Sequence, residues 1–110
     1  MAEVQKRQRG HFLQVSEFYA LNLACVPLQK EFENVYLVGS VLTRPDWRDV
    51  DVRCLLEEKA YVYLGCEVLR AAVSEWLKAR TGLPVDFDFQ FIEQANKDFP
   101  GQRCALGIRP

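Results

Sequence analysis

The sequence predicts a single α/β (α+β) domain in which a small mixed β-sheet packs against helices. The length of 110 residues suits one domain, and 49% hydrophobic residues are enough for one core. Three apolar or alternating runs of strand length, at residues 35–38, 49–56 and 85–92, are separated by segments with helical character. The predicted order is therefore α-β-β-α-β.

The first third of the chain predicts a helix over residues 12–25, which is rich in apolar residues and good helix formers. Pro27 should end or kink this helix, or open a second short one through "LQKEFEN", where Leu28 and Phe32 are four residues apart. The next run, "VYLV" at residues 35–38, predicts a short central strand that is covered on both faces.

Two further strands show the period of two that is typical of half-buried strands. In "DVDVRCLL", apolar residues alternate with Asp49, Asp51 and Arg53, and in "VDFDFQFI" they alternate with Asp86 and Asp88. Between them, residues 66–80 predict a helix with one apolar stripe, which Gly82 and Pro84 terminate. The stripe consists of Val68, Leu69, Ala72, Val73, Trp76 and Leu77. The segment "EEKAYVYLG" predicts a loop or a short extra strand, and residues beyond 92 show only a turn at Pro100-Gly101.

Composition limits the kinds of partner. Fifteen acidic residues nearly balance fourteen basic ones, so nucleic acid binding is possible but not indicated. No apolar run approaches the roughly 20 residues of a membrane span. Residues 1–10, "MAEVQKRQRG", predict a disordered basic tail with no apolar signal core, and residues 11–110 a single domain. We therefore expect a cytoplasmic protein that does not associate with a membrane.

The predicted topology brings charged residues to one edge of the sheet. A connecting helix normally makes neighbouring strands parallel, so the N-terminal ends of strands two and three lie at the same edge. Asp49 and Asp51 begin one of these strands, and Asp86 begins the other. If strand one is antiparallel to strand two, Gly39 and Ser40 reach that edge as well.

These residue types suit the chemistry of phosphate and metal ions. Asp49 and Asp51 would have Cα atoms about 6.6 Å apart on one strand face, and a divalent cation would remove their repulsion. Magnesium prefers carboxylate oxygens, often together with substrate phosphates. Gly39 permits close approach of a phosphate to the backbone, and Ser40 offers a hydroxyl group and an amide. The competing interpretation is a solvated acidic strand face beside a glycine turn.

The pattern "VGS", eight residues, "DVDV", and later a strand beginning "VDF" resembles the polymerase-beta-type nucleotidyltransferase superfamily, and in particular its minimal members. The resemblance covers residues 35–91. It implies a nucleotidyltransferase-like fold and a magnesium-dependent (or manganese-dependent) enzyme that moves a nucleoside monophosphate from a nucleoside triphosphate, with ATP expected, to an acceptor hydroxyl.

Residue roles follow from the same resemblance. Gly39 and Ser40 would hold the triphosphate, and Asp49 and Asp51 would bind both metal ions. Asp86 would complete the first metal site and help deprotonate the attacking hydroxyl. These three aspartates are the predicted catalytic and metal-binding residues, with Asp88 as the alternative third carboxylate.

The loop after Gly-Ser departs from the pattern of many minimal members. It reads "VLTRPDW", and Arg48 stands directly before the first acid. An alternative hypothesis is therefore a non-catalytic nucleotide-binding or antitoxin-like protein-interaction module with a degenerate form of the fold. For the enzyme, a partner protein or a second subunit is expected to supply or to be the acceptor.

Overall fold

The structure is a computed structural model and describes residues 10–108. The helices within this range are α1 (Val15–Ala24), α2 (Val26–Phe32), α3 (Glu58–Leu64), α4 (Glu67–Thr81) and α5 (Ile92–Asp98). The strands are β1 (Val35–Val38), β2 (Val50–Leu56), β3 (Val85–Phe91) and β4 (Cys104–Ala105). A short 3₁₀ helix, Gly39–Leu42, directly follows β1. No helix among residues 10–108 is long and apolar enough to cross a membrane.

The four strands form one mixed sheet in the order β3-β2-β1-β4. Strand β2 is parallel to β3 and antiparallel to β1, and the short β4 pairs antiparallel with the other side of β1. The predictions of a mixed sheet with helices and of a parallel β2–β3 pair are confirmed. The condition that strand one is antiparallel to strand two is also met.

Alternation along the strands divides the sheet into an apolar face and a charged face. Val50, Val52 and Cys54 of β2 are fully buried on the apolar face, next to Phe87 and Phe89 of β3. The aspartates of both strands lie on the opposite face, because side chains alternate across a strand. One face therefore builds the core, and the other carries the candidate site.

Helix α4 is attached to the edge strand β3 through one buried serine. The Ser74 hydroxyl accepts a hydrogen bond from the Phe87 amide at 2.9 Å and donates one to the Phe87 carbonyl at 3.3 Å. The helix thus occupies backbone groups that an edge strand would otherwise leave unpaired. The helix also runs beside this edge of the sheet, and its residue Arg70 reaches Asp86 on the charged face.

Several local predictions were wrong. Residues 58–64, expected as a loop or strand, form α3. Ile92, predicted as the last residue of the third strand, instead begins α5, and the sequence predicted no element for the rest of that helix. The predicted first helix is shorter, and α2 follows it directly with Pro27 in its first turn, as one alternative proposed. In α4, two members of the predicted stripe, Val68 and Ala72, are exposed, whereas Ser74 is buried.

The expected basic tail, residues 1–10, lies outside the described residues except for Gly10.

Candidate functional site

The strand register places two of the predicted acids side by side. Asp51 of β2 and Asp86 of β3 are direct partners across the parallel pair, so their side chains share one face of the sheet. Asp49 precedes β2 by one residue and is exposed. Asp88, the alternative third acid, lies opposite Arg53 instead. Of the two candidates, Asp86 is thus the one beside Asp51.

Gly39 is also part of this cluster. It follows Val38, the antiparallel partner of Asp51, and its φ of +84° lies in the region that favours glycine. A Cβ atom at position 39 would overlap Asp51 Oδ2 and would lie 3.1 Å from Asp51 Cγ. The absence of a side chain at Gly39 therefore leaves the space that the Asp51 carboxylate occupies.

Ser40 begins the loop that connects β1 to β2. Its carbonyl accepts hydrogen bonds from the amides of Thr43 (3.0 Å) and Arg44 (2.8 Å), which close the 3₁₀ turn. A cavity of about 390 Å³ lies between this loop and the aspartates. Its lining consists of Ser40, Arg44, Asp46, Trp47, Arg48, Asp49 and Asp51. The predicted triphosphate residue Ser40 and the first two acids therefore border one concave space.

A second cavity of about 390 Å³ lies on the other side of Asp49, between α4 and the start of β3. Arg70 and Lys78 of α4 contribute positive charge to its wall, and Asp49, Glu75 and Asp86 contribute negative charge. Asp49 borders both cavities.

A buried arginine, Arg53, contacts the aspartate pair. Its Nη1 donates to the carbonyls of Asp86 (2.7 Å) and Val52 (3.0 Å), and its Nη2 lies 3.3 Å from Asp86 Oδ2 and 3.8 Å from Asp51 Oδ1. The ring of Phe99 lies against the guanidinium, 5.5 Å from ring centroid to Cζ. Arg53 Nε is buried and has no hydrogen-bond partner among residues 10–108.

A second arginine, Arg70 of α4, binds the remaining oxygen of the same aspartate. Its Nη2 lies 3.1 Å from Asp86 Oδ1, and its Nε lies 3.8 Å from Asp88 Oδ2. Both carboxylate oxygens of Asp86 therefore contact a guanidinium group. Such charge-assisted contacts hold the carboxylate in one orientation.

Burial and like charges raise the pKa of Asp51. Burial is the largest cause; Arg53 opposes it, and Asp86 and Asp49 add to the increase. Burial likewise raises the pKa of Asp88, against the lowering effects of Arg53 and Arg70. Arg53 thus does not fully offset the cost of burying the charged Asp51 carboxylate beside two other aspartates.

Sequence reasoning missed both arginines. Arg53 occupies a polar position of a half-buried strand, which predicts exposure to solvent, and nothing in the sequence indicated that residues near Phe99 would cover it. Arg70 lies on the polar side of a helix whose placement at the sheet edge was unknown. The loop arginine Arg44, in contrast, is exposed and pairs with Asp46 at 3.1 Å.

The donors suit a divalent cation only in part. Within residues 10–108, no group of three or more His, Cys, Asp or Glu side chains is arranged to hold a metal ion. Asp49 and Asp51 remain as carboxylates two residues apart, whereas Asp86 faces guanidinium groups. Two carboxylates completed by phosphate oxygens form a common type of magnesium site. The predicted metal role is therefore compatible with Asp49 and Asp51 and less so with Asp86.

Comparisons of the chain with protein-family models, with curated proteins and with solved structures found no match. The resemblance to nucleotidyltransferases consequently stays a prediction from the motifs.

Proposed function

We propose that this edge of the sheet binds magnesium together with a nucleoside triphosphate, and that the protein transfers a nucleoside monophosphate to an acceptor hydroxyl. The observation that carries the proposal is the close packing of Gly39 against Asp51, directly beside the Asp51–Asp86 pair. On a fully solvated acidic face the Asp51 carboxylate would be free of neighbours, whereas here it is packed against Gly39.

Different residues of the chain would bind the metal ion and the triphosphate. Asp49 and Asp51 would hold the metal ion, and Ser40 would hold the triphosphate in the cavity that it borders. Gly39, directly before Ser40, would contribute through its backbone, because the space where its side chain would be is filled by the Asp51 carboxylate. Bound magnesium would neutralise charge on the phosphates and on the departing pyrophosphate. Arg48 is exposed on the wall of the same cavity, within the reach of an anionic ligand.

The cavity between α4 and β3 is the natural place for the acceptor, because it opens on the opposite side of Asp49. Its wall holds two basic residues, Arg70 and Lys78, and three acidic ones, Asp49, Glu75 and Asp86, so charge alone selects no particular acceptor. A partner protein or a second subunit would present the acceptor hydroxyl at this cavity.

Transfer is tested by incubating the purified protein with α-phosphate-labelled ATP, magnesium and a cell lysate. The proposal predicts that label becomes covalently attached to an acceptor, and that Asp51→Asn prevents this. As a matched control, Glu31→Gln, an exposed acid on α2, should label the acceptor as the wild type does. Absence of any labelled acceptor, with nucleotide binding retained, would contradict transfer.

A second candidate function is nucleotide binding without turnover, as part of a protein-interaction module. It is favoured by the two guanidinium groups on Asp86, because they contact both of the oxygens that a metal ion or an acceptor hydroxyl would otherwise bind. In that case, the wild-type protein would bind magnesium and ATP but label no acceptor.

A further inference from the structure

We propose that Arg53 is a built-in cation of the acidic edge, which fills the space between Asp51 and Asp86 and limits the edge to a single divalent cation on Asp49 and Asp51. The inference rests on the proposed function, because it concerns the same metal site. It differs from the expectation that both aspartate strands share two metal ions.

The guanidinium is fixed by groups other than the carboxylates. Arg53 Nη1 donates to two backbone carbonyls, those of Val52 and Asp86, and Phe99 packs against the guanidinium plane. Contacts with backbone do not depend on the charge state of the acids or on a ligand. Arg53 is therefore part of the fold and not a mobile counterion.

The fixed position is the one that a bridging cation would need. Arg53 Nη2 lies 3.3 Å from Asp86 Oδ2 and 3.8 Å from Asp51 Oδ1, so it stands between the two carboxylates. A metal ion bridging these oxygens would bind each at about 2.0–2.1 Å and would have to displace this nitrogen. Arg70 meanwhile occupies Asp86 Oδ1.

The two carboxylate oxygens of Asp51 have different neighbours. Oδ1 lies 3.8 Å from Arg53 Nη2, whereas Oδ2 packs beside Gly39. Oδ2 is therefore the oxygen left for the single divalent cation that Asp51 would share with Asp49.

The number of Mn²⁺ ions bound per chain, measured by calorimetry and by electron paramagnetic resonance, tests the inference. We expect one in the wild type and two in Arg53→Met. The additional ion should be lost again in the double variant Asp86→Asn/Arg53→Met. As a matched control, Arg80→Met removes an arginine that stacks on Trp76 and should bind Mn²⁺ as the wild type does.

Two Mn²⁺ ions in the wild type, or no gain in folded Arg53→Met, would overturn the inference. If Arg53→Met does not fold, the variant Asp86→Asn tests the inference instead. Because the ion is proposed to bind Asp49 and Asp51 and not Asp86, this variant should still bind one Mn²⁺, and loss of the ion would overturn the inference. Absence of Mn²⁺ from the wild type contradicts the proposed function instead, and the gain in Arg53→Met then still decides whether Arg53 occupies a cation position.

Discussion

At the scale of single residues, the site depends on a glycine and an aspartate that share one small volume. Gly39 has a positive φ, and a Cβ atom there would overlap the Asp51 carboxylate. Because the contact joins the end of β1 to the beginning of β2, it sets the position of the acid relative to the loop that contains Ser40. Substitution at Gly39 should therefore affect both stability and ligand binding.

Gly39→Ala should lower the free energy of unfolding by more than Gly82→Ala. Both glycines have positive φ, but a Cβ atom at Gly82 meets nothing within 4 Å. Backbone strain alone costs about 1–2 kcal/mol, and crowding at Gly39 should add about 1–3 kcal/mol. Urea denaturation of both variants measures the difference. Equal losses would mean that Asp51 moves away without cost.

The pH dependence of stability should reveal the unfavourable position of Asp51. Its pKa in the folded protein lies above the ordinary value of 3.8, so the folded state binds this proton more tightly than the unfolded state. The contribution of Asp51 to stability consequently falls as the pH rises from about 3.8 through the folded-state pKa. Asp51→Asn should be more stable than the wild type at pH 7, and the gain should disappear below about pH 4.

Asp46→Asn is the control with the opposite sign, because Arg44 lowers the pKa of Asp46. The stabilisation from Asp46 is present at neutral pH and is lost as the pH falls through its folded-state pKa, so Asp46→Asn should lose stability slightly at pH 7. Thermal unfolding across the pH range measures both variants. If Asp51→Asn is less stable than the wild type at pH 7, and by the same amount at low pH, the pKa of Asp51 is not raised in the folded protein.

Residue-level prediction from sequence succeeded where a simple rule governs position. Alternation placed Asp51 and Asp86 on one strand face, and the crossover helix brought them to the same edge. Arg53 follows the same alternation, but its burial depends on Phe99, which lies far along the chain. Local pattern contains no information on such a tertiary contact.

At the scale of elements, the placement of α4 along the β3 edge determines which side chains reach the charged face. Ser74 bonds both backbone groups of Phe87, and Arg70, one helical turn earlier, reaches Asp86. The sequence predicted the helix but not its orientation, since Ser74 interrupts the apolar stripe. A buried serine is recognisable only once its backbone partners are known.

Ser74→Ala should lower the free energy of unfolding by about 1–3 kcal/mol, because it leaves the buried Phe87 amide without its partner. Ser16→Ala, on the exposed side of α1, should change it by less than about 0.5 kcal/mol. Chemical denaturation compares the two. If Ser74→Ala is as stable as Ser16→Ala, the serine does not hold the helix to the sheet.

The wrong element predictions have physical reasons as well. In α3, "AYVYL" alternates like a strand, but Ala60, Tyr61 and Leu64 pack against the core while Val62 and Tyr63 are 72% and 82% exposed. In α1, apolar residues occur on all sides, and Val15, Tyr19 and Leu23 remain exposed. Helical periodicity is weak wherever exposed positions are also apolar.

At the scale of the whole molecule, a nearly neutral chain concentrates unlike charges at one edge of its sheet. The formal net charge is −1, yet four aspartates and two arginines meet where β2 and β3 begin and where α4 passes. Two cavities open at this edge on either side of Asp49. In the proposed function, one cavity would take the metal ion with the triphosphate and the other the acceptor.

The central claim is that Asp49 and Asp51 bind a metal ion together with a triphosphate. Calorimetric titration with a non-hydrolysable ATP analogue, with and without Mn²⁺, tests it most directly. We expect Mn²⁺-dependent binding in the wild type and in Glu31→Gln, weakened about tenfold or more in Asp49→Asn and in Asp51→Asn. Binding of equal strength in all four proteins, or binding indifferent to Mn²⁺, would contradict the account.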